Sequence, residues 1–326
     1  MSSIETRPDG PQTPKGKGRI DLLDAARGVA LLAMLVYHFT WDLEFFGYIP
    51  TGTAYEGGWR LFARGIATSF LFLVGIGLVL AHARGVRWRP FGKRLAQIAA
   101  GAAAVTIATL VITPESFVFF GILHQIAVAS LIGLLFLRVP TVLVALAGIA
   151  VIALPNLWTS EAMNPRWLAW IGFAADEPFS NDLVPIFPWT GIVLLGMAAG
   201  RWAGAAGLWD RLRPIRIERA PATGLIWIGR HSLAFYLIHQ PVSIALIAAY
   251  AQVFPPDRVA AFPVDCQRSC VAQGFDETYC ASYCGCVQTQ MTERNLLEAF
   301  LDGSLDEQGQ RDVSDTILAC SFDPNS

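Results

Sequence analysis

Long apolar runs, separated by short clusters of Arg and Lys, constrain this chain more than anything else in it. The runs cover roughly 25–47, 59–82, 95–112, 118–137, 141–157, 184–202 and 232–253. A helix needs about 20 mostly apolar residues to cross the hydrocarbon of a bilayer. Spanning strands are shorter, about 10 residues, and alternate apolar with polar side chains. Continuous runs of this length therefore predict helices. Charged residues make up only 15% of the sequence, against roughly 25% in a soluble globular domain. The expectation is an all-α, polytopic transmembrane bundle of about seven helices, with the lipid bilayer as its first partner. Segment 141–157 is short for a span, and 223–231 reads as an interfacial helix leading into the last run.

The basic clusters set an orientation, because Lys and Arg accumulate in cytoplasmic loops. Arg7, Lys15, Lys17 and Arg19 precede the first run. Arg84, Arg87, Arg89, Lys93 and Arg94 follow the second, Arg138 the fourth, and Arg201, Arg211, Arg213, Arg216 and Arg219 the sixth. The alternate loops 48–58 and 113–117 carry no Lys or Arg, and 158–183 carries only Arg166. The N-terminus is therefore expected inside and, with seven spans, the C-terminus outside. Residues 1–19 lack the apolar stretch of a signal peptide and read as a disordered cytoplasmic arm. Residues 20–253 form the membrane region. The remainder, 254–326, is acidic and holds all six cysteines, an extracytoplasmic tail expected to be helical. A net charge of -2 points to no nucleic-acid partner.

Ionisable groups inside a membrane are costly and mark function or a structural pair. Asp21, Asp24 and Arg27 open the first helix, and Asp24 and Arg27, three apart, share a face. His38 follows Arg27 by eleven residues, about 16 Å along a helix. Asp42 lies one turn further on the same face and can orient the imidazole, and Glu44 lies near the outer end. Two readings stand for His38, a proton-transfer group or a core histidine bonded to a neighbouring helix. His239 lies deep in the last run, beside Gln240 and Pro241, where a proline frees backbone carbonyls. It too is read either as lining a cavity or as part of a structural polar cluster. His124 and Gln125 fit helix–helix hydrogen bonding, whereas His82 and His231 fit an interfacial position. Arg60 and Arg64 lie at the depth of Asp42 and Glu44 and are expected to pair with them. Walker, GxSxG, HExxH and dinucleotide GxGxxG signatures are absent, as is the inverted repeat common in secondary transporters.

Four stretches together resemble a known family. They are Arg19-Ile20-Asp21-Leu22-Leu23-Asp24-Ala25-Ala26-Arg27-Gly28 running on to His38, Gly121-Ile122-Leu123-His124-Gln125-Ile126-Ala127, Phe187-Pro188-Trp189-Thr190-Gly191, and Gly229-Arg230-His231-Ser232 running on to His239-Gln240-Pro241. The ordered set is similar to the bacterial branch of the heparan-alpha-glucosaminide N-acetyltransferase catalytic-domain family, within the transmembrane acyltransferases that modify cell-surface sugars. The resemblance implies a multi-pass protein of the bacterial inner membrane. It further implies transfer of an acetyl or other acyl group from cytoplasmic acyl-CoA to a glycan or other envelope acceptor on the far side. His38 and His239 match histidine positions of the wider group and, with Asp42, are the implied catalytic set. The later histidine of the animal heparan enzyme has no counterpart, since no His lies between His38 and His82. Arg27, with Arg89 and Arg94 of the second basic cluster, is the expected acyl-CoA contact, because phosphates suit Arg. Positive-inside orientation alone would explain the same loop arginines. Two other functions remain open on the residues: a proton-coupled transporter or flippase using His38, Asp42 and His239 as a relay, and a scaffold acting through its tail. Homo-oligomerisation is compatible with the sequence, and no metal site is expected in the membrane region.

The tail has its own arithmetic. Cys266 and Cys270 are separated by three residues, then nine precede Cys280, and Cys284, Cys286 and Cys320 follow. Cysteines four apart share a helix face, so two antiparallel helices turning at Gly274-Phe275-Asp276 would bridge twice. That predicts Cys266–Cys284 and Cys270–Cys280, leaving Cys286 with Cys320. Zinc ligation is the rival, and an oxidising compartment favours disulfides.

Overall fold

The computed structural model describes residues 19–83 and 85–322. The arm preceding Arg19, with Arg7, Lys15 and Lys17, and the loop residue Arg84 lie outside the described residues. Within them the chain is helical: α1 (Asp21–Phe45), α2 (Gly57–His82), α3 (Trp88–Ile112), α4 (Ile122–Phe136), α5 (Thr141–Ala153), α6 (Arg166–Ala169), α7 (Ile186–Ala205), α8 (Leu208–Leu212), α9 (Ala222–Arg230), α10 (Ser232–Val253), α11 (Arg258–Ala272), α12 (Glu277–Glu293), α13 (Leu297–Leu301) and α14 (Glu307–Phe322). Among the described residues β-pairing is confined to two isolated bridges, Phe120 with Leu183 and Ser160 with Ala174. Each of the seven apolar runs forms a helix. α1, α2, α3 and α10 are long and apolar enough to cross a membrane. α4 has 15 residues, about 22 Å of helix against a hydrocarbon core of about 30 Å. α5 has 13 residues and is prolonged by a 3-10 turn, Leu154–Asn156. α7 contains an extended residue, Phe187, so its regular part begins at Pro188. The stretch expected as interfacial is the separate helix α9.

The chain divides into two compact units. The first comprises the residues up to Ala33 with Arg64–Leu237. One of its cores joins α2, α5 and α7 through Leu78, Val144, Ala145, Leu194, Met197 and Ala198. Lipid tails are as apolar as leucine, so membrane helices associate by close packing rather than by hydrophobic burial. Gly75 and Gly196 show this: a Cβ on either would run into backbone, at Val193 and Phe72 respectively. Polar groups supply the rest. Gln125 Nε2 donates to Thr190 Oγ1 at 2.8 Å, and Arg201 donates to the terminal carbonyls of Phe136 and Val139 at 2.7 and 2.5 Å. The outward faces stay apolar, with Leu135 76% and Val111 78% exposed. In water such surfaces would drive aggregation; in hydrocarbon they are the matched solvent.

The second unit comprises Met34–Ala63 with the residues from Ile238 on. Its tail contains the three disulfides expected from the spacing: Cys266–Cys284, Cys270–Cys280 and Cys286–Cys320. No cysteine is free, so no thiolate is left for zinc. α11 and α12 form the doubly bridged hairpin, and Gly274, with φ 92°, makes its turn. The third bridge ties α12 to α14 over a small core of Val287, Met291, Leu297 and Val313. Asp276 caps α12 by accepting from the amides of Thr278 and Tyr279, and those hydrogen bonds hold its carboxyl below the usual range.

The tail also grips the segment that follows α1. Thr51 N donates to Asp265 Oδ1 at 2.7 Å. Arg268 donates to the carbonyls of Pro50 and Thr51 and lies 3.8 Å from the Glu56 carboxylate. Tyr48 donates its hydroxyl hydrogen to the Phe254 carbonyl at 2.5 Å. From the α1 side, Glu44 accepts from the amides of Gly52 and Ala54 at 2.5 and 2.8 Å.

Candidate functional site

Two groups of residues concern chemistry, one in each unit. In the first unit the opening of α1 supplies Asp21 and Asp24, both buried at 5% and 3% exposure. Buried carboxylates need partners, and they have several. Arg27 donates to Asp24 Oδ1 at 2.9 Å, the pairing expected from their spacing. Arg230 of α9 reaches Asp21 at 2.8 Å and Asp24 at 3.4 Å, and Arg216 reaches Asp21 at 3.2 Å. The approach of α9 depends on glycine: a Cβ at Gly229 would collide with the Asp24 carbonyl, and one at Gly28 with the Leu225 carbonyl.

Beside this network lies a cavity of about 560 Å³, within the range of small-molecule sites. Its polar wall includes Arg19, Arg27, Arg94, Arg230 and His231 together with Asp24, and its apolar wall includes Leu123 and Leu237. Two aspartates face three arginines in the network, and Arg19 and Arg94 add further positive charge. The cavity is therefore a basic chamber with an apolar side, suited to a phosphorylated ligand carrying an apolar portion. Of the arginines expected to contact acyl-CoA, Arg27 and Arg94 line it. Arg89 is exposed and does not. Arg19 and Arg230 join it without having been singled out. The Gly-Arg dipeptide 229–230 was the available signal, since a glycine that allows close approach brings its neighbour onto the facing helix.

In the second unit α1 contributes His38 and Asp42, and α10 contributes His239, Gln240 and Ser243. The imidazoles of His38 and His239 lie 5.1 Å apart, centroid to centroid, at an angle of 59°. Asp42 is fully buried. Its Oδ1 accepts a 2.5 Å hydrogen bond from Gln240 Nε2. Asp42 Oδ2 and Gln240 Oε1 are buried without a hydrogen-bond partner. His239 is 7% exposed and Ser243 5%. The expected pairing of Asp42 or Glu44 with Arg60 and Arg64 is not found. Both arginines are exposed, the Gln240 amide serves Asp42, and backbone amides serve Glu44. Equal depth along two helices does not fix rotation about their axes, and rotation decides which side chains meet.

The remaining histidines lie away from the His38–His239 pair. His124 Nδ1 accepts from the Gly121 amide at 3.2 Å, and its Nε2 lies 3.3 Å from Thr106 Oγ1. His82 ends α2 and sits 3.4 Å from the Arg87 amide. His231 folds back on Trp227 and shares the basic chamber. No group of acidic, His or Cys side chains among the described residues could hold a metal.

Comparison with known proteins gives one match. A family model described as "Heparan-alpha-glucosaminide N-acetyltransferase, catalytic" covers residues 19–241. The four quoted stretches, the basic chamber and the His38–His239 pair all fall within it, and the tail falls beyond it. No curated protein and no solved structure matches the chain.

Proposed function

Because the chain belongs to the heparan-alpha-glucosaminide N-acetyltransferase catalytic family, a membrane acetyltransferase type, we propose that it moves an acetyl or other acyl group from acyl-CoA to a sugar-type acceptor across the bilayer. The observation that carries this reading is the meeting of His38 with His239, beside the buried Asp42. Acyl transfer needs a base that takes a proton from the nucleophile as it attacks the thioester carbonyl. A His38 nitrogen takes the proton of the acceptor O–H or N–H, and the new C–O or C–N bond forms. The C–S bond breaks, and the imidazolium returns the proton to the departing thiolate. His239, in ring contact with His38, is assigned to positioning that imidazole.

The donor is assigned to the basic chamber. Arg27 and Arg94, joined by Arg19 and Arg230, suit phosphate oxygens through planar, multidentate guanidinium groups. Arg89, outside the chamber, is left to orientation of the loop. The chamber then faces the cytoplasm, in line with the Arg-rich loops, and the tail faces the opposite side of a bacterial inner membrane. On this topology the tail beyond α10 is a separate extracytoplasmic domain, and the cytoplasmic arm ends where α1 begins.

The test uses purified protein in nanodiscs with acetyl-CoA and an amino-sugar or hydroxyl acceptor, and follows acetylated product by mass spectrometry. His38→Ala should abolish transfer while leaving thermal unfolding unchanged, and Arg94→Ala should raise KM for acetyl-CoA with a smaller effect on kcat. Undiminished turnover in His38→Ala would remove His38 from the mechanism.

A further inference from the structure

The second unit contains a buried contact, between Asp42 and Gln240, that the sequence pattern did not single out. Asp42 is fully buried on α1, and among the described residues no Lys or Arg is hydrogen-bonded to it. Its shortest contact is the Gln240 amide at 2.5 Å, and the Ser243 hydroxyl also interacts with the carboxylate. A carboxylate only accepts, so the amide end facing it is fixed as the NH₂ end. This contact orients the carboxylate without neutralising it. It leaves Asp42 Oδ2 and Gln240 Oε1 buried and unpartnered. Both atoms are hydrogen-bond acceptors; the Ser243 hydroxyl beside the carboxylate has one hydrogen to give, so at least one acceptor is left for a donor from elsewhere. A buried acceptor left unmatched costs stability, so the arrangement suits a site completed by a ligand rich in O–H or N–H groups.

Resting on the acyl-transfer reading above, we propose that Gln240 is a positioning residue. It acts through Asp42, holding Oδ1 so that Oδ2 faces the acceptor and takes a hydrogen bond from a group next to the reacting O–H or N–H. His239, adjacent in sequence to Gln240, contacts His38 one helical turn before Asp42. The same two helices thus present a base and an oriented carboxylate in consecutive turns. An acceptor fitting this pair carries at least two neighbouring donors, one deprotonated by His38 and one held by Asp42. Monofunctional alcohols and amines lack the second.

A double-mutant cycle on the purified full chain tests this. Gln240→Leu should lower kcat/KM for a polyhydroxylated acceptor by about 10-fold or more and leave KM for acetyl-CoA unchanged. Asp42→Asn should lower it at least as much. The double variant should be no worse than Asp42→Asn alone, because Gln240 acts only through that carboxylate. Gln240→Met keeps the side-chain length but loses the donor, and should be impaired like Gln240→Leu. The deficit should shrink for an acceptor with a single donor group. Additive losses in the double variant, or a wild-type rate in Gln240→Met, would overturn the assignment. Infrared difference spectra separate this outcome from failure of the parent reading. The carboxyl bands abolished by Asp42→Asn should shift in frequency in Gln240→Met or Gln240→Leu whether or not any acceptor is acylated. Unshifted bands in the variants would overturn the pairing even in an active enzyme, whereas bands that shift in the variants, with no transfer by the wild-type protein, would overturn acyl transfer and, with it, the role in acceptor binding.

Discussion

Asp182 is a carboxylate that no sequence pattern marked, and it shows what burial does to a single side chain. It lies in the loop before α7, where Oδ2 accepts the Ile122 amide hydrogen at 2.9 Å and so caps the start of α4. Burial pushes its carboxyl up from 3.8 to about 6, and the hydrogen bond from Ile122 offsets this only in part. A raised carboxyl supports the fold fully while protonated in both states, below about 3.8, and the support is lost as pH rises through about 6. The shift of roughly two units is worth at most about 3 kcal/mol, less because the side chain keeps some solvent contact. Asp182→Asn retains an oxygen for the Ile122 amide and removes the titration. Wild-type thermal unfolding should therefore fall relative to Asp182→Asn between about pH 4 and 7, and parallel pH curves would dismiss the effect. At this scale the sequence was legible where residues are close along the chain, as with Asp24 and Arg27, or where a motif names them, as with His38 and His239. It was not legible for Asp42 against Gln240, which are 198 residues apart. Nothing local says which polar side chain a buried carboxylate will meet.

Helices were easier to read than their limits. The apolar run from 95 locates the lipid-exposed stretch of α3, yet the helix starts at Trp88, because its basic first turns are helical and polar together. Conversely the run from 118 is apolar, but α4 begins only at Ile122. Phe117–Phe120 instead runs beside the 180–184 loop, with Val184 N donating to the Phe120 carbonyl at 3.0 Å. The α1–α9 crossing gives an element-scale prediction. Gly229 lies so close to the Asp24 carbonyl that any side chain forces the helices apart. Gly229→Ala should cost about 1–3 kcal/mol by overpacking. It should also loosen the Arg230 contacts to Asp21 and Asp24, and so raise KM for acetyl-CoA. Wild-type stability and KM in that variant would contradict the packing argument.

At the scale of the whole chain, helix content and membrane character followed from apolar run length, and the disulfide pairing followed from Cys spacing at helical period. The two-unit division did not, since α1 and α10 each contribute to both units and no composition change marks the boundary. Two measurements address the whole-chain reading together. A reporter fused after the tail should be active only when fused to a periplasm-competent enzyme. Non-reducing mass mapping should recover Cys266–Cys284, Cys270–Cys280 and Cys286–Cys320 with no free thiol. A cytoplasm-active fusion, or six reactive thiols, would reverse the orientation.

The grip of the tail on the segment after α1 has a consequence in time. Tyr48, Thr51 and Pro50 find their partners Phe254 and Arg268 206 to 218 residues later in the chain. At a synthesis rate of about 5–20 residues per second, that is a wait of roughly 10–40 s. During that interval the segment keeps only its local partners, such as Glu44 on the amides of Gly52 and Ala54, and the groups that later meet the tail are left to water. The C-terminal end of the helix that carries His38 and Asp42 is thus fastened late in biogenesis, once α11 has emerged and folded.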